Sequence, residues 1–122
     1  MNNYKYKVSL ISTIYGVERY ITKFADSVLS QTSDDVQFVF VNDGTRDRSV
    51  EILQELIDKK YAHLVDRILI VNQPNMGLPQ ARKTGLEHAE GEYILFADSD
   101  DWIELNTIER IVDVAEQTNA DI

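Results

Sequence analysis

The chain contains no cysteine. That excludes a disulfide framework and any thiolate metal site, and it suits a reducing compartment. Positive charge is also scarce: Lys and Arg number 12 against 21 Asp and Glu, a formal net charge of -9. Phosphate binding by nucleic-acid proteins draws mainly on Lys and Arg, so no nucleic-acid partner is expected. An anionic ligand would need a metal ion or locally focused donors, and most of the acidic surplus serves solubility. No apolar run approaches the roughly 20 residues that span a bilayer. The opening "MNNYKYKVSL" holds too short an apolar run for a signal peptide. The expected location is cytoplasmic, at the inner face of a membrane if some further segment attaches the chain there. Three signatures are missing as well. Without Gly-x-x-x-x-Gly-Lys there is no P-loop, without Gly-x-Gly-x-x-Gly after the first strand an NAD site is disfavoured, and without Gly-x-Ser-x-Gly there is no nucleophile elbow. Internal repeats, low-complexity tracts and linkers are absent too.

What is present fits one domain. A chain of 122 residues, 43% of them hydrophobic, makes one compact unit and buries roughly two-thirds of its unfolded surface. "KVSLIS" (7–12), "VQFVFVN" (36–42), "RILIVN" (67–72) and "EYILFA" (92–97) read as strands. Val17, Tyr20, Ile21, Phe24, Val28 and Leu29 recur at helical spacing, predicting a helix to about Gln31. Leu53, Leu56, Ile57 and Leu64 predict a second, with Asp47 or Ser49 near its cap. Pro79 suits the first turn of a third, reaching about His88. Asn106 and Glu109 form a capping-box pattern for a fourth, whose inner face is Ile108, Ile111, Val112 and Ala115. The order β-α-β-α-β-α-β-α, with continuous apolar strands, predicts a doubly wound, three-layer α/β/α fold on a mostly parallel sheet.

Ligands of such sheets bind outside the carboxyl ends of the strands. The segments there are "STIYG", "NDGTRDRS", "NQPNMG" and "DSDDW". Asp98 and Asp100 can point to one side if the strand geometry continues that far, with Asp101 opposite. Two convergent carboxylates suit Mg²⁺ or Mn²⁺, which can bridge an acidic protein to a diphosphate. The simpler alternative is a solvated turn in which Asp98, Ser99 or Asp101 caps the next helix. Asp43 ends the second strand, where it serves an Asp-Gly turn or accepts a hydrogen bond from a base or ribose. Arg82 falls on the stripe of Leu78, Ala81, Gly85 and Ala89 near a helix N-terminus, so an acceptor nearby is expected, whether a ligand, Asp43 or a strand-end carbonyl. Gly85 on that stripe implies close approach of helix to sheet. His63 and His88 lack ligand spacing and are expected to be structural or exposed.

Taken together, "VSLISTIYGVERYITKFADSVLSQT", "FVFVNDGTRDRS" and "NMGLPQARKTGLEHAEGEYILFADSDD" resemble the N-terminal, nucleotide-sugar-binding half of inverting family 2 glycosyltransferases of the GT-A fold. The resemblance covers nearly the whole chain. It implies a UDP-sugar donor, a glycan or lipid-linked acceptor, a Mn²⁺ or Mg²⁺ cofactor and a role in surface polysaccharide synthesis. By the same resemblance the segment with Thr13 and Tyr15 lines the base pocket and Asp43 meets the uracil edge. Arg82 sits against the base or diphosphate. Asp98 and Ser99 contact the donor, and Asp98 and Asp100 form the Asp-x-Asp metal site. The sequence departs from the family at "TIYG", where members often read Pro-x-Tyr-Asn, and at Lys83, in place of an Asn. No general base is identified, and it is expected beyond Ile122. "NADI" looks like the start of a fifth strand. The implied chain is therefore a truncated donor-binding portion, 1–122, lacking its acceptor half, with an exposed surface through which it could self-associate. Two alternatives stand beside this: a non-catalytic nucleotide-binding module, and an Asp-dependent phosphohydrolase with Asp98 as nucleophile. Trp102 and the position of the motif on the fourth strand count against the latter.

Overall fold

The computed structural model describes residues 4–99 and 106–118. Asp100, Asp101, Trp102 and the "NADI" segment lie outside them. The strands are β1 (Tyr6–Ile14), β2 (Val36–Asp43), β3 (Ile68–Gln73) and β4 (Gly91–Phe96). They form one sheet in the order β3-β2-β1-β4, every pairing parallel. The helices are α1 (Ile21–Leu29), α2 (Ser49–Lys60), α3 (Leu78–His88) and α4 (Thr107–Thr118).

Strand alternation divides the core between the two faces of the sheet. Val8, Leu10 and Ile14 of β1 and Phe38 and Phe40 of β2 meet Phe24 and Val28 of α1, Leu53 and Ile57 of α2 and Ile108 and Val112 of α4. Ile11, Val39 and Val41 point the other way and meet Ala81 of α3. A β-carbon added to Gly85 would run into the Ile11 side chain, which accounts for the glycine: α3 lies too close to β1 for any larger residue. The layers are therefore α1, α2 and α4 on one face and α3 on the other.

Two helix boundaries differ from expectation. Residues 17–20 form a turn, not the start of α1, and the Val17 carbonyl accepts the N–H groups of Tyr20 and Ile21. Gly16 has a left-handed φ of 65°, which a helix cannot continue through. Leu64 belongs to a separate 3-10 turn, Ala62–Arg67, because α2 stops at Lys60. At α4, the Gln31 side chain accepts the Ile108 N–H at 2.9 Å, and the Glu109 carboxylate takes the Thr32 hydroxyl at 2.5 Å. Glu109 of the expected pair is thus tied, with Ile108, to the segment just after α1, and neither of these bonds involves Asn106.

Candidate functional site

Connections from β1 run to β2, while the crossover from β3 returns to β4 on the far side of β1. The strand order therefore reverses between β1 and β4, and open α/β sheets take their ligands outside the carboxyl ends of the strands at such a point. Two adjoining hollows open there. One of ≈ 290 Å³ is lined by Thr13, Tyr15, Asp43, Asn75, Leu78 and Ala81. The other, of ≈ 340 Å³, is lined by Thr13, Tyr15, Val17, Leu78, Asp98 and Ser99. They share Thr13, Tyr15 and Leu78, and so form one cleft running from Asp43 to Asp98. A wider hollow of ≈ 560 Å³ lies between α1 and α2. Its polar groups largely satisfy one another, with Lys60 and Tyr61 both bonded to the Asp26 carboxylate.

Five of the expected donor-site residues line the cleft itself. Thr13 is the last residue but one of β1, and its carbonyl accepts the Ser99 hydroxyl at 2.7 Å. Ser99 is buried by this bond, while Asp98 beside it is exposed. The Ala97 N–H donates to the Ile11 carbonyl at 3.0 Å, extending the ladder just past β4. Tyr15 is half exposed and presents a ring to both hollows.

Arg82 reaches the same place from α3. Its guanidinium lies 3.8 Å from the Asp98 carboxylate and 5.6 Å from the centre of the Phe96 ring. With 44% and 74% of the two side chains exposed, this pair contributes little to stability. Arg82 is partly exposed and faces the cleft mouth, off the buried stripe of Ala81 and Gly85. Leu78, expected on that stripe, is 46% exposed because it stands over the cleft.

Asp43 does not pair with Arg82. It is 4% exposed, and its carboxylate is wrapped by the loop after β3. One oxygen accepts Gln73 Nε2 at 3.0 Å and the Met76 N–H at 2.8 Å; the other accepts Asn75 Nδ2 at 3.1 Å and the Gly77 N–H at 3.0 Å. Burial alone would raise its pKa, but the Gln73 amide and the two N–H groups outweigh that and hold it below the ordinary carboxylate value. Gly44 has φ 68°, and a β-carbon there would lie 2.5 Å from the Asn75 nitrogen, so glycine is required where this loop closes over β2.

The sequence places "NDGTRDRS" at a strand mouth and Asp47 or Ser49 near the cap of α2, and gives Asp47 no further role. Asp47 does accept the Ser49 N–H at 3.0 Å at the start of α2, and it also takes the hydroxyls of Thr45 and Ser49 at 2.7 and 2.6 Å and the Glu18 N–H at 3.2 Å. Burial again pushes upward, but these donors prevail and bring the pKa down from 3.8 to about 2. The available signal was an acidic residue flanked by hydroxyls two positions either side.

Within the described residues no group of three or more His, Asp or Glu side chains forms a metal cluster, and no helix is long and apolar enough to cross a membrane. Asp98 fits a hard cation: it is exposed, at the cleft mouth, and lightly held by Arg82. Its expected partner Asp100 lies outside the described residues. His63 and His88 are exposed and far from the cleft lining.

Known proteins share this arrangement. The chain is 40% identical over 95% of its length to glycosyltransferase GlyA of Streptococcus pneumoniae, of which it spans 16%. It is 43% identical over 94% of its length to the uncharacterized glycosyltransferase EpsJ of Bacillus subtilis, of which it spans 32%. The crystal structure of S. aureus TarS 1-349 in complex with UDP-GlcNAc superposes on 93% of the chain with a TM-score of 0.80 and 28% identity, the chain covering 32% of it. Residues 9–122 match the family described as "Glycosyl transferase family 2", so the chain belongs to that family.

Proposed function

We propose that residues 1–122 are the donor-binding portion of a glycosyltransferase that takes a UDP-sugar and a divalent cation and passes the sugar to a glycan or lipid-linked acceptor of a surface polysaccharide. The observation that carries this is the continuous cleft from Asp43 to Asp98 at the switch point of the sheet. The likeness to a protein seen with UDP-GlcNAc supports the donor class.

In this reading the base and ribose lie against Thr13, Tyr15 and Asp43. Every oxygen of Asp43 already has donors, so a uracil N–H that reaches it displaces one of them, the Asn75 side-chain amide being the most mobile. The diphosphate lies toward Arg82, which exchanges its weak pairing with Asp98 for phosphate oxygens. Asp98 and Asp100 hold Mn²⁺ or Mg²⁺, which when bound supplies Lewis-acid stabilisation to the departing nucleoside diphosphate. Ser99 anchors the Asp98 backbone to β1. Transfer also needs a base for the acceptor hydroxyl, which we assign to a further, acceptor-binding portion.

Thermal melts with UDP, ADP and GDP, each with and without Mn²⁺, test this. At a hundredfold excess over Kd a ligand of the native state stabilises by roughly 2.7 kcal/mol, a rise on the order of 10 °C for a domain this size. The expected result is a rise with UDP that needs Mn²⁺ and disappears in Asp100→Ala. No shift with any of the nucleotides would refute the donor reading.

A further inference from the structure

The loops after β1 and β2 meet through one carboxylate. Asp47 Oδ1 accepts the Thr45 and Ser49 hydroxyls at 2.7 and 2.6 Å. A hydroxyl has a single proton, so each, having donated to Asp47, has only lone pairs left to offer. Those lone pairs take backbone donors from the other loop. Thr45 Oγ1 accepts the Gly16 N–H at 2.9 Å and Ser49 Oγ accepts the Val17 N–H at 3.0 Å. Asp47 Oδ2 accepts the next N–H, that of Glu18, directly at 3.2 Å. Three successive amides thus end on one anion, two of them through a hydroxyl. The left-handed φ of Gly16 is the kind of turn that makes successive N–H groups converge on an anion. The contact is returned once: the Glu18 carboxylate accepts the Arg48 N–H at 3.1 Å. A helix cap would require only the bond to the Ser49 N–H; those to Gly16, Val17 and Glu18 serve something else. The segment they fix carries Tyr15 and Val17, both of which line the cleft.

We propose that Asp47 is a positioning residue of the donor site: through Thr45 and Ser49 it clamps the amides of Gly16, Val17 and Glu18, and so sets the Tyr15–Val17 wall against which the nucleotide binds. The inference rests on the donor-binding reading above. The clamp is charge-assisted, and a carboxylate that polarises two hydroxyls strengthens the bonds they accept.

Asp47→Asn separates the clamp from the cap. Its amide oxygen can keep the bonds made by Oδ1, while its NH₂ faces the Glu18 N–H, donor against donor. Thr45→Val breaks the relay to Gly16 and leaves the bonds between Asp47 and Ser49 in place, so it carries the test if Asp47→Asn fails to fold. Both variants are measured for amide exchange at residues 16–18 and for Mn²⁺-dependent UDP affinity. Tyr61→Phe, which removes a bond on the distant α1–α2 face, controls for mere loss of stability. The expected result is exchange faster by at least about tenfold, at Glu18 in Asp47→Asn and at Gly16 in Thr45→Val, and a UDP Kd raised about tenfold in both. Tyr61→Phe should lower the melting temperature and leave the Kd unchanged. Wild-type protein that binds UDP while both variants bind it within twofold would overturn the positioning role alone. So would unchanged exchange at 16–18. Wild-type protein that gives no UDP response would overturn the donor reading, and this inference with it.

Discussion

At the residue scale, the acidic side chains near the cleft divide by what surrounds them. Asp98 is exposed and loosely paired with Arg82 among the described residues, whereas Asp43 and Asp47 are enclosed by donors. Only the first kind was easy to place from sequence, because a carboxylate after an apolar strand advertises itself. Asp43 was legible as important but not as a loop organiser. Its donors come from residues 73–77, some 30 positions or more away in the chain, and nothing in an Asp-Gly pair foretells them. The consequence can be measured. Asp43→Ala leaves the Met76 and Gly77 N–H groups and the Gln73 side-chain amide without their acceptor, while the Asn75 amide keeps its bond to the main-chain carbonyl of residue 43. An unpaired buried polar group costs about 1–3 kcal/mol, and water entering through the cleft recovers part of it. We therefore expect a loss of about 2–4 kcal/mol in chemical denaturation, with faster exchange at Met76 and Gly77. Asp43→Asn keeps one acceptor oxygen and should lose about half as much.

At the scale of elements, strands were legible to within two residues, the carboxyl end of β1 being the largest miss, because continuous apolar runs rich in β-branched and aromatic residues are strong local signals. Helix ends were less so. Val17 and Tyr20 sit at helical spacing from Phe24, yet the helix starts only at Ile21; the amides of residues 16–18 bond Thr45, Ser49 and Asp47 across to the next loop, a tertiary contact that periodicity does not show. Leu64 was drawn into α2 for the same reason in reverse: its burial comes from a 3-10 turn that only resembles another helical turn. The close approach of α3 to the sheet was legible in Gly85, since a glycine on an apolar helical stripe lowers helix propensity and is kept there for the space it leaves. Its substitution distinguishes two opposed effects. On a solvent-facing helix Gly→Ala gains about 1 kcal/mol from propensity. Here the new methyl meets the side chain of Ile11, a β-branched residue in a central strand with little room to move. Overpacking costs about 1–3 kcal/mol and should prevail. Gly85→Ala is expected to lower the urea midpoint by the equivalent of about 1–2 kcal/mol with an unchanged m-value. A raised midpoint would mean that α3 shifts freely on the sheet.

At the scale of the molecule, the charge balance sets a pH response in which two effects oppose each other. A formal net charge of -9 at pH 7 repels itself, so mild acid should relieve repulsion at low ionic strength. Against this stand Asp26, Asp43 and Asp47, whose pKa values are all lowered in the fold. Asp26 is held down first by the Tyr61 hydroxyl and then by Lys60, despite burial. A carboxylate that titrates lower when folded than when unfolded stabilises the protein above its unfolded pKa, and loses that contribution as pH falls through the folded one. For Asp47 the window runs from 3.8 down to about 2. Relief of repulsion begins earlier, with the first protons taken up as pH falls from 7. The melting temperature should therefore hold or rise slightly from pH 7 to about 5, then fall steeply between about 4 and 2. Salt should flatten the first limb by screening exposed charges and spare the second, whose hydrogen bonds are partly buried. Asp47→Asn has no proton to take up at that position, so its acid limb should be shallower than that of the wild type. An acid limb of equal slope in the two proteins would mean that protonating Asp47 does not weaken the joint between the β1 and β2 loops. That joint ties together the loops that follow the two central strands.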